Sequence, residues 1–211
     1  MNQNKAVKRR PDYDLIAEMV PEGARVLDLG CGDGQLLADL IANRGCRGQG
    51  IEIDRSRVVE CIRRGVPVYH GDMMEGMSHH RDHAFDLVVL SQTLQQTHNP
   101  RLVAHEMLRV GTSAIISFPN FGHWRLGLQL LLSGHMPVND LLPYRWYDTP
   151  NVHLCTVRDW IELCAQERIR IDKRLFVAAP DRVLRPFLAN LRAGLAIFQI
   201  SRAPDYVYPE S

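Results

Sequence analysis

Three acidic side chains in the first third of the chain have the types and spacing to hold a cationic, nucleoside-like ligand. The first lies in Val26-Leu27-Asp28-Leu29-Gly30-Cys31-Gly32-Asp33-Gly34, where an apolar run enters a turn of three alternate glycines. Glycine admits positive φ and lets the backbone approach a ligand closely. A helix starting after Gly34 adds free N–H donors and a partial positive charge at the same point. The dinucleotide fingerprint G-x-G-x-x-G needs a glycine where Gln35 stands, which weakens a pyrophosphate assignment. Asp28 beneath the loop opposes a pyrophosphate as well, and suits a ligand carrying an ammonium and a sulfonium. Glu52 ends the next apolar run, where a carboxylate can accept from both hydroxyls of a ribose. Asp72, in Gly71-Asp72-Met73, can accept from an adenine amino group, with Met73 packed on the ring. With Cys31, Ile53, Ser91 and Gln92, these residues make up the candidate cofactor-binding set.

These groups need strand tips to position them, and the chain provides a regular series. Short apolar runs at 25–29, 48–53, 66–69, 85–90 and 113–118 predict five strands. The fourth is apolar almost throughout, as expected of a parallel strand covered on both faces. Helices are predicted at 12–20, at 35–43 with Gly45 beyond its end, and after Asp54 with Val58, Val59 and Ile62 inward. Arg63 and Arg64 then suit that helix's C-terminal dipole. A further helix starts at Asn99-Pro100, and another spans 156–166 with Trp160, Ile161 and Cys164 inward. Two last strands are expected at 169–179 and 194–201. The fold class is therefore α/β: a doubly wound, mostly parallel, Rossmann-like sheet of seven strands.

One domain over residues 1–211 is the natural organisation for this length. The net charge of +1 gives no electrostatic footprint for nucleic acid or an anionic membrane. Lys5, Lys8, Arg9 and Arg10 read as a short solvated tail, since no apolar region follows them to make a signal peptide. No apolar run reaches the roughly 18–20 residues of a bilayer span, so the cytoplasm is the expected compartment. The five cysteines include no C-x-x-C pair and are expected to be reduced and mostly core-filling. No metal site is expected; His79, His80 and His83 fall in a polar connecting stretch.

The Asp28–Gly34 stretch, Glu52, Gly71-Asp72 and Phe85-Asp86-Leu87-Val88-Val89 together resemble the class I S-adenosylmethionine-dependent methyltransferase superfamily. That resemblance implies S-adenosylmethionine, or S-adenosylhomocysteine, as the cofactor. Longer strings narrow it. Ser91-Gln92-Thr93-Leu94-Gln95, Ser117-Phe118-Pro119-Asn120-Phe121-Gly122-His123-Trp124-Arg125, Gly134-His135-Met136-Pro137 and Leu142-Pro143-Tyr144-Arg145-Trp146-Tyr147-Asp148-Thr149-Pro150 are similar to the bacterial methionine biosynthesis family MetW. The resemblance implies a role beside the homoserine O-acyltransferase MetX, as partner or activator, and carries over no catalytic residue.

Residues 119–155 interrupt the strand–helix rhythm and exceed an ordinary loop. Leaving the sheet at strand five, they are expected near the cofactor's methyl group. As a substrate lid or docking surface the insertion offers His123, Trp124, Arg125, Tyr144, Trp146, Tyr147 and His153; as a packed cap, its aromatics are core. A helix is predicted over 123–133, with the leucines of 126–132 read as core. The N/D-P-P-Y/F motif of nucleic-acid amino methyltransferases is absent after strand four, where Ser91-Gln92-Thr93-Leu94 stands, and no ribose-methylating Lys-Asp-Lys-Glu set is evident. Methyl transfer asks mainly for alignment and exclusion of water, so these absences leave it open. A small-molecule methyltransferase is therefore the alternative to a cofactor-binding partner protein, and a vestigial scaffold is a third option.

Overall fold

The computed structural model describes residues 10–139, 142–178 and 182–204. Five strand–helix steps build the first half of the chain. They are α1 (Pro11–Met19), β1 (Arg25–Leu29), α2 (Gln35–Arg44), β2 (Arg47–Glu52), α3 (Arg55–Arg63), β3 (Val68–His70), α4 (Met73–Ser78), β4 (Phe85–Ser91), α5 (Pro100–Val110) and β5 (Gly111–Pro119). A single 3-10 turn, Leu94–Gln96, lies between β4 and α5. The chain continues through α6 (Trp124–Ser133), α7 (Val157–Gln166), β6 (Ile169–Ala178), β7 (Arg182–Leu184), α8 (Ala189–Arg192) and β8 (Leu195–Arg202). Lys5, Lys8, Arg9 and Ala179, placed above in a tail and a strand, lie outside the described residues.

The strands form one sheet in the order β3-β2-β1-β4-β5-β8-β6-β7. β1 to β5 pair in parallel, while β8 runs antiparallel between β5 and β6. The sheet thus has eight strands rather than seven. The additional strand is the three-residue β7, which closes a hairpin on β6 through Val177 and Val183. Three residues are too few to show a strand period in the sequence.

Neighbouring residues on each central strand enter opposite cores, as side chains alternate across a pleated sheet. Val26, Leu87, Val89, Ile115 and Ile197 pack with Ile16, Leu36, Leu37 and Leu40 of α1 and α2. Leu27, Val88, Leu90, Ile116 and Phe198 pack with Met77, Val103, Met107 and Trp160 on the other face. Trp160 lies fully buried beside Phe118 and Phe198, at ring separations of 5.9 and 6.3 Å. α7 is aimed there by a reciprocal cap. Thr156 Oγ1 accepts from Asp159 N at 3.2 Å, and Asp159 Oδ2 accepts from Thr156 N at 3.0 Å. Thr156→Ala is expected to lower stability by about 1 kcal/mol, read as a lower urea midpoint at unchanged slope.

Two helices turn differently from their sequence pattern. In α3 the inward residues are Val58 and Cys61, whereas Val59 and Ile62 are exposed. Cys61 wedges beneath the glycine turn, which fixes the rotation of the helix. In α6 only Leu126 is buried, so of the leucines of 126–132 it alone is core, and Leu128, Leu130, Leu131 and Leu132 are exposed. Leu131 and Leu132 are 80% and 76% exposed. The insertion begins and ends at one pinch point: Phe121 N donates to Cys155 O at 3.0 Å, and Val157 N to Asn120 Oδ1 at 3.1 Å.

Candidate functional site

The strand order reverses between β1 and β4, and open α/β sheets bind ligands at the carboxyl ends of strands around such a point. A cleft of about 1080 Å³ opens there. Its walls include Gly30 and Gly32 after β1, Glu52 and Ile53 at the end of β2, and Asp72 and Met73 after β3. Ser91 and Gln92, at the end of β4, line it too. Eight of the eleven candidate cofactor residues thus line one cleft, although the sequence separates them by up to 62 positions. Asp28, Cys31 and Gly34 do not line it; Asp28 and Cys31 form a buried layer under the turn, of which Gly34 is the last glycine.

That layer explains the loop's shape. Gly30, Gly32 and Gly34 have φ of 62°, 59° and 76°. A Cβ on Gly30 would meet Thr93 Cγ2 at 2.9 Å, and one on Gly34 would meet Cys61 Sγ at 3.0 Å. Cys61 donates its S–H to Gly32 O at 3.1 Å and lies 3.7 Å from Cys31 Sγ. Burial pushes both thiols above their ordinary values, so they act as packing and as a weak donor. Arg64 reaches back to the turn, donating to Asp33 Oδ2 at 2.8 Å and Gln35 Oε1 at 2.7 Å. It braces the loop, a role its place at the end of α3 did not indicate.

The carboxylates are fixed by backbone donors. Glu52 Oε2 accepts from Gly32 N at 2.8 Å and Oε1 from Asp54 N at 2.9 Å. Each oxygen has a further lone pair for a hydroxyl donor. Asp72 Oδ1 accepts from Met74 N and Glu75 N, capping α4. This six-residue helix, missed in the sequence, therefore orients both Asp72 and Met73. Asp28 is 3% exposed. Burial, opposed by the Arg10 charge and reinforced by Glu52, pushes its carboxyl up to about 7. Its contribution to stability is therefore full below its ordinary value of 3.8 and lost as pH rises to about 7. Thermal melts across that window are expected to show the protein losing stability relative to Asp28→Asn, with parallel curves as the contrary result.

The sequence did not reveal one part of the wall. Arg10, assigned above to a solvated tail, is folded into the site with α1. Its guanidinium donates to Asp12 at 3.1 and 2.6 Å and to Ser91 Oγ at 2.7 Å, and lies 4.5 Å over the Tyr13 ring. Ser91 Oγ and Gln92 Nε2 both donate to the buried Asp12 Oδ2, at 2.9 and 3.1 Å. Gln92 holds a left-handed backbone with φ of 53°. Such strain persists only where surroundings impose it, here the bonds from Gln92 N to Ser117. A charged residue two positions before an acidic one is too common a pattern to have marked this cluster.

The insertion residues stand apart. His123, Trp124, Arg125, Tyr144, Trp146, Tyr147 and His153 are not among the residues lining the cleft. Trp124, Tyr144, Trp146 and Tyr147 are exposed. His123 caps α6 through Nδ1, which accepts from Arg125 N, and burial with the Arg125 charge pushes its imidazole down, favouring that neutral acceptor. His79 and His80 pack edge-on against Tyr69 and Phe85. No group of three His, Cys, Asp or Glu placed to hold a metal occurs among the described residues. No described helix is long and apolar enough to cross a membrane.

Comparison with known proteins resolves what kind of chain carries this cleft. The family described as methionine biosynthesis protein MetW matches residues 10–200. The chain belongs to the MetW family. A MetW relative from Rhodopirellula baltica, the bifunctional methionine biosynthesis protein MetXA/MetW, is 34% identical over 202 residues. The alignment covers 90% of this chain and 32% of that relative, so the chain spans about a third of its length. Among solved structures, an S-adenosylmethionine-dependent methyltransferase from Mesorhizobium loti aligns with a TM-score of 0.64 at 16% identity, covering 91% of this chain and 98% of that one. The [4+2]-cyclase SpnF aligns with a TM-score of 0.63 at 20% identity, over 90% and 80% of the chains. This MetW chain therefore has the class I methyltransferase fold, a fold that also carries a cyclase.

Proposed function

We propose that this MetW protein binds S-adenosylmethionine in the cleft and serves methionine biosynthesis as a partner of homoserine O-acyltransferase. The partner assignment is carried by one observation: the Rhodopirellula baltica relative, whose name joins MetXA to MetW, has the matched region on a chain about three times as long. The cofactor assignment rests on the cleft chemistry. Glu52 offers its remaining lone pairs to ribose hydroxyls, Asp72 accepts from the adenine amino group, and Met73 packs on the base. Four carboxylates line the cleft, those of Asp12, Asp33, Glu52 and Asp72, against the guanidinium groups of Arg10 and Arg57. Two of them are already ion-paired, Asp12 with Arg10 and Asp33 with Arg64. The field left by Glu52 and Asp72, with Asp28 beneath, favours a sulfonium and an ammonium. The bound cofactor supplies an activated methyl group and, being made from methionine, a measure of pathway output. Acyl transfer by the purified acyltransferase, with and without this protein, tests the assignment. Co-elution and a changed rate are expected; neither one appearing would remove it.

A second function, methyl transfer to a small molecule, is favoured by the cleft's size. About 1080 Å³ slightly exceeds the roughly 300–1,000 Å³ of ordinary small-molecule pockets. The wall also continues past Gln92 through Thr97, His98 and Leu102, leaving room for an acceptor beside the cofactor. Release of S-adenosylhomocysteine across a metabolite panel, lost in Asp28→Ala, would favour this function over the first.

A further inference from the structure

The insertion concentrates apolar surface that the fold leaves uncovered. More than half of the large hydrophobic side chains exposed among the described residues lie between Trp124 and Leu154. Leu131 and Leu132 stand out from α6, and Trp146, 72% exposed, meets Tyr147 edge-on at 5.6 Å. α6 carries a single charge, Arg125, whose guanidinium lies 5.5 Å from the centre of the Trp124 ring. Exposed Trp and Tyr beside apolar surface with so little charge are the composition of an interface core. A membrane-surface helix would carry a basic polar face, which α6 lacks. The base of the insertion is held by Asn120, which fixes where its two ends meet the rest of the fold.

The far end of the insertion is bonded to the cleft wall. Val152 N and His153 N both donate to Gln95 O, at 2.8 and 3.0 Å, and His153 Nε2 donates to His98 O at 3.3 Å. Gln95 belongs to the 3-10 turn, and the neighbouring Gln96, Thr97 and His98 line the cleft.

We propose that homoserine O-acyltransferase docks on the apolar face of α6 and the Trp146–Tyr147 turn, and that the His153 clip to residues 95–98 makes docking respond to the cofactor. This rests on the partner role proposed above. The occupant is argued from the Rhodopirellula baltica relative, whose name joins MetXA to MetW and of whose length the matched region is 32%. The clip bonds the far end of the insertion to a turn whose next residues line the cleft, so one element meets both sites and both can bias its position.

The test uses the full-length chain and acyltransferase from the same source, with affinity measured by surface immobilisation and stoichiometry by light scattering. L131E/L132E and, separately, W146A are expected to weaken the complex by about 100-fold, while both variants keep wild-type S-adenosylmethionine affinity. Acyltransferase affinity is expected to change several-fold with saturating S-adenosylmethionine, and His153→Ala to bring that ratio towards one. Wild-type protein that fails to bind the acyltransferase sinks the partner role itself. Wild-type binding with undiminished variant binding overturns the docking surface alone. So does a variant defect confined to self-association or to phosphatidylcholine–phosphatidylglycerol vesicles. Acyltransferase affinity indifferent to the cofactor overturns the coupling.

Discussion

Replacing Glu52 with Ala is expected to weaken S-adenosylmethionine binding by at least about 100-fold. Hydrogen bonds to a charged group contribute about 1.5–3 kcal/mol each, and a ribose presents two hydroxyls to this carboxylate. Glu52 is only 5% exposed, so water replaces those bonds poorly. The substitution also takes the acceptor from Gly32 N and Asp54 N, loosening the glycine turn that carries the ligand. Glu52→Gln keeps one acceptor oxygen and is expected to fall between the two. Calorimetric titration of the three proteins reads this order directly. An Ala variant with the parent's affinity would mean that the ribose lies elsewhere.

Asn120→Ala is expected to cost about 3–5 kcal/mol of stability, because it strips a buried network of its central side chain. Nδ2 donates to Asn190 O at 2.8 Å and to Ala193 O at 2.7 Å. Oδ1 accepts from Gly122 N and Val157 N, both at 3.1 Å. One 1% exposed amide thus joins the end of β5, the start of α7 and the α8 region that leads into β8. At about 2–4 °C per kcal/mol for a chain of this size, the melting temperature should fall by roughly 10 °C. Asn120→Asp keeps the acceptor and loses the amide donor, so the bonds from Gly122 and Val157 survive in part. A melt within a degree or two of the parent would show that the pinch is not held by this side chain.

The parts of the fold that announced themselves were those whose physics is local. Continuous apolar runs located β1, β4 and β5, Gly45 closed α2, and Asn99-Pro100 opened α5 with Asn99 Oδ1 accepting from Leu102 N. The meeting of Glu52 and Asp72 at one cleft was legible because parallel strand tips converge at a topological switch, whatever the intervening sequence. Long-range pairing was the obscure part. Arg10 and Asp12 reach Ser91 across some eighty residues, and Arg64 braces a turn thirty residues earlier. Nothing in their immediate neighbours records those partners. The leucines of α6 misled for a related reason: apolarity in a sequence tells of a need for cover, not of what provides it. In α3, Cys61 took the inward position that Val59 and Ile62 were expected to share, because the glycine turn needed a small side chain under it.

The most direct test of the cofactor cleft is a calorimetric titration of S-adenosylmethionine into the full-length protein between pH 6 and 7.5, in buffers of differing ionisation enthalpy. A cation seated above Asp28 lowers its raised pKa, so binding should release protons in that window and tighten as pH rises. The ligand's own α-amino group, near 7.7–8.0 in reference peptides, stays mostly charged there. The expected result is one site per chain, with proton release abolished in Asp28→Asn. Absence of saturable heat at millimolar ligand, or binding whose proton balance is the same in Asp28→Asn, would contradict it.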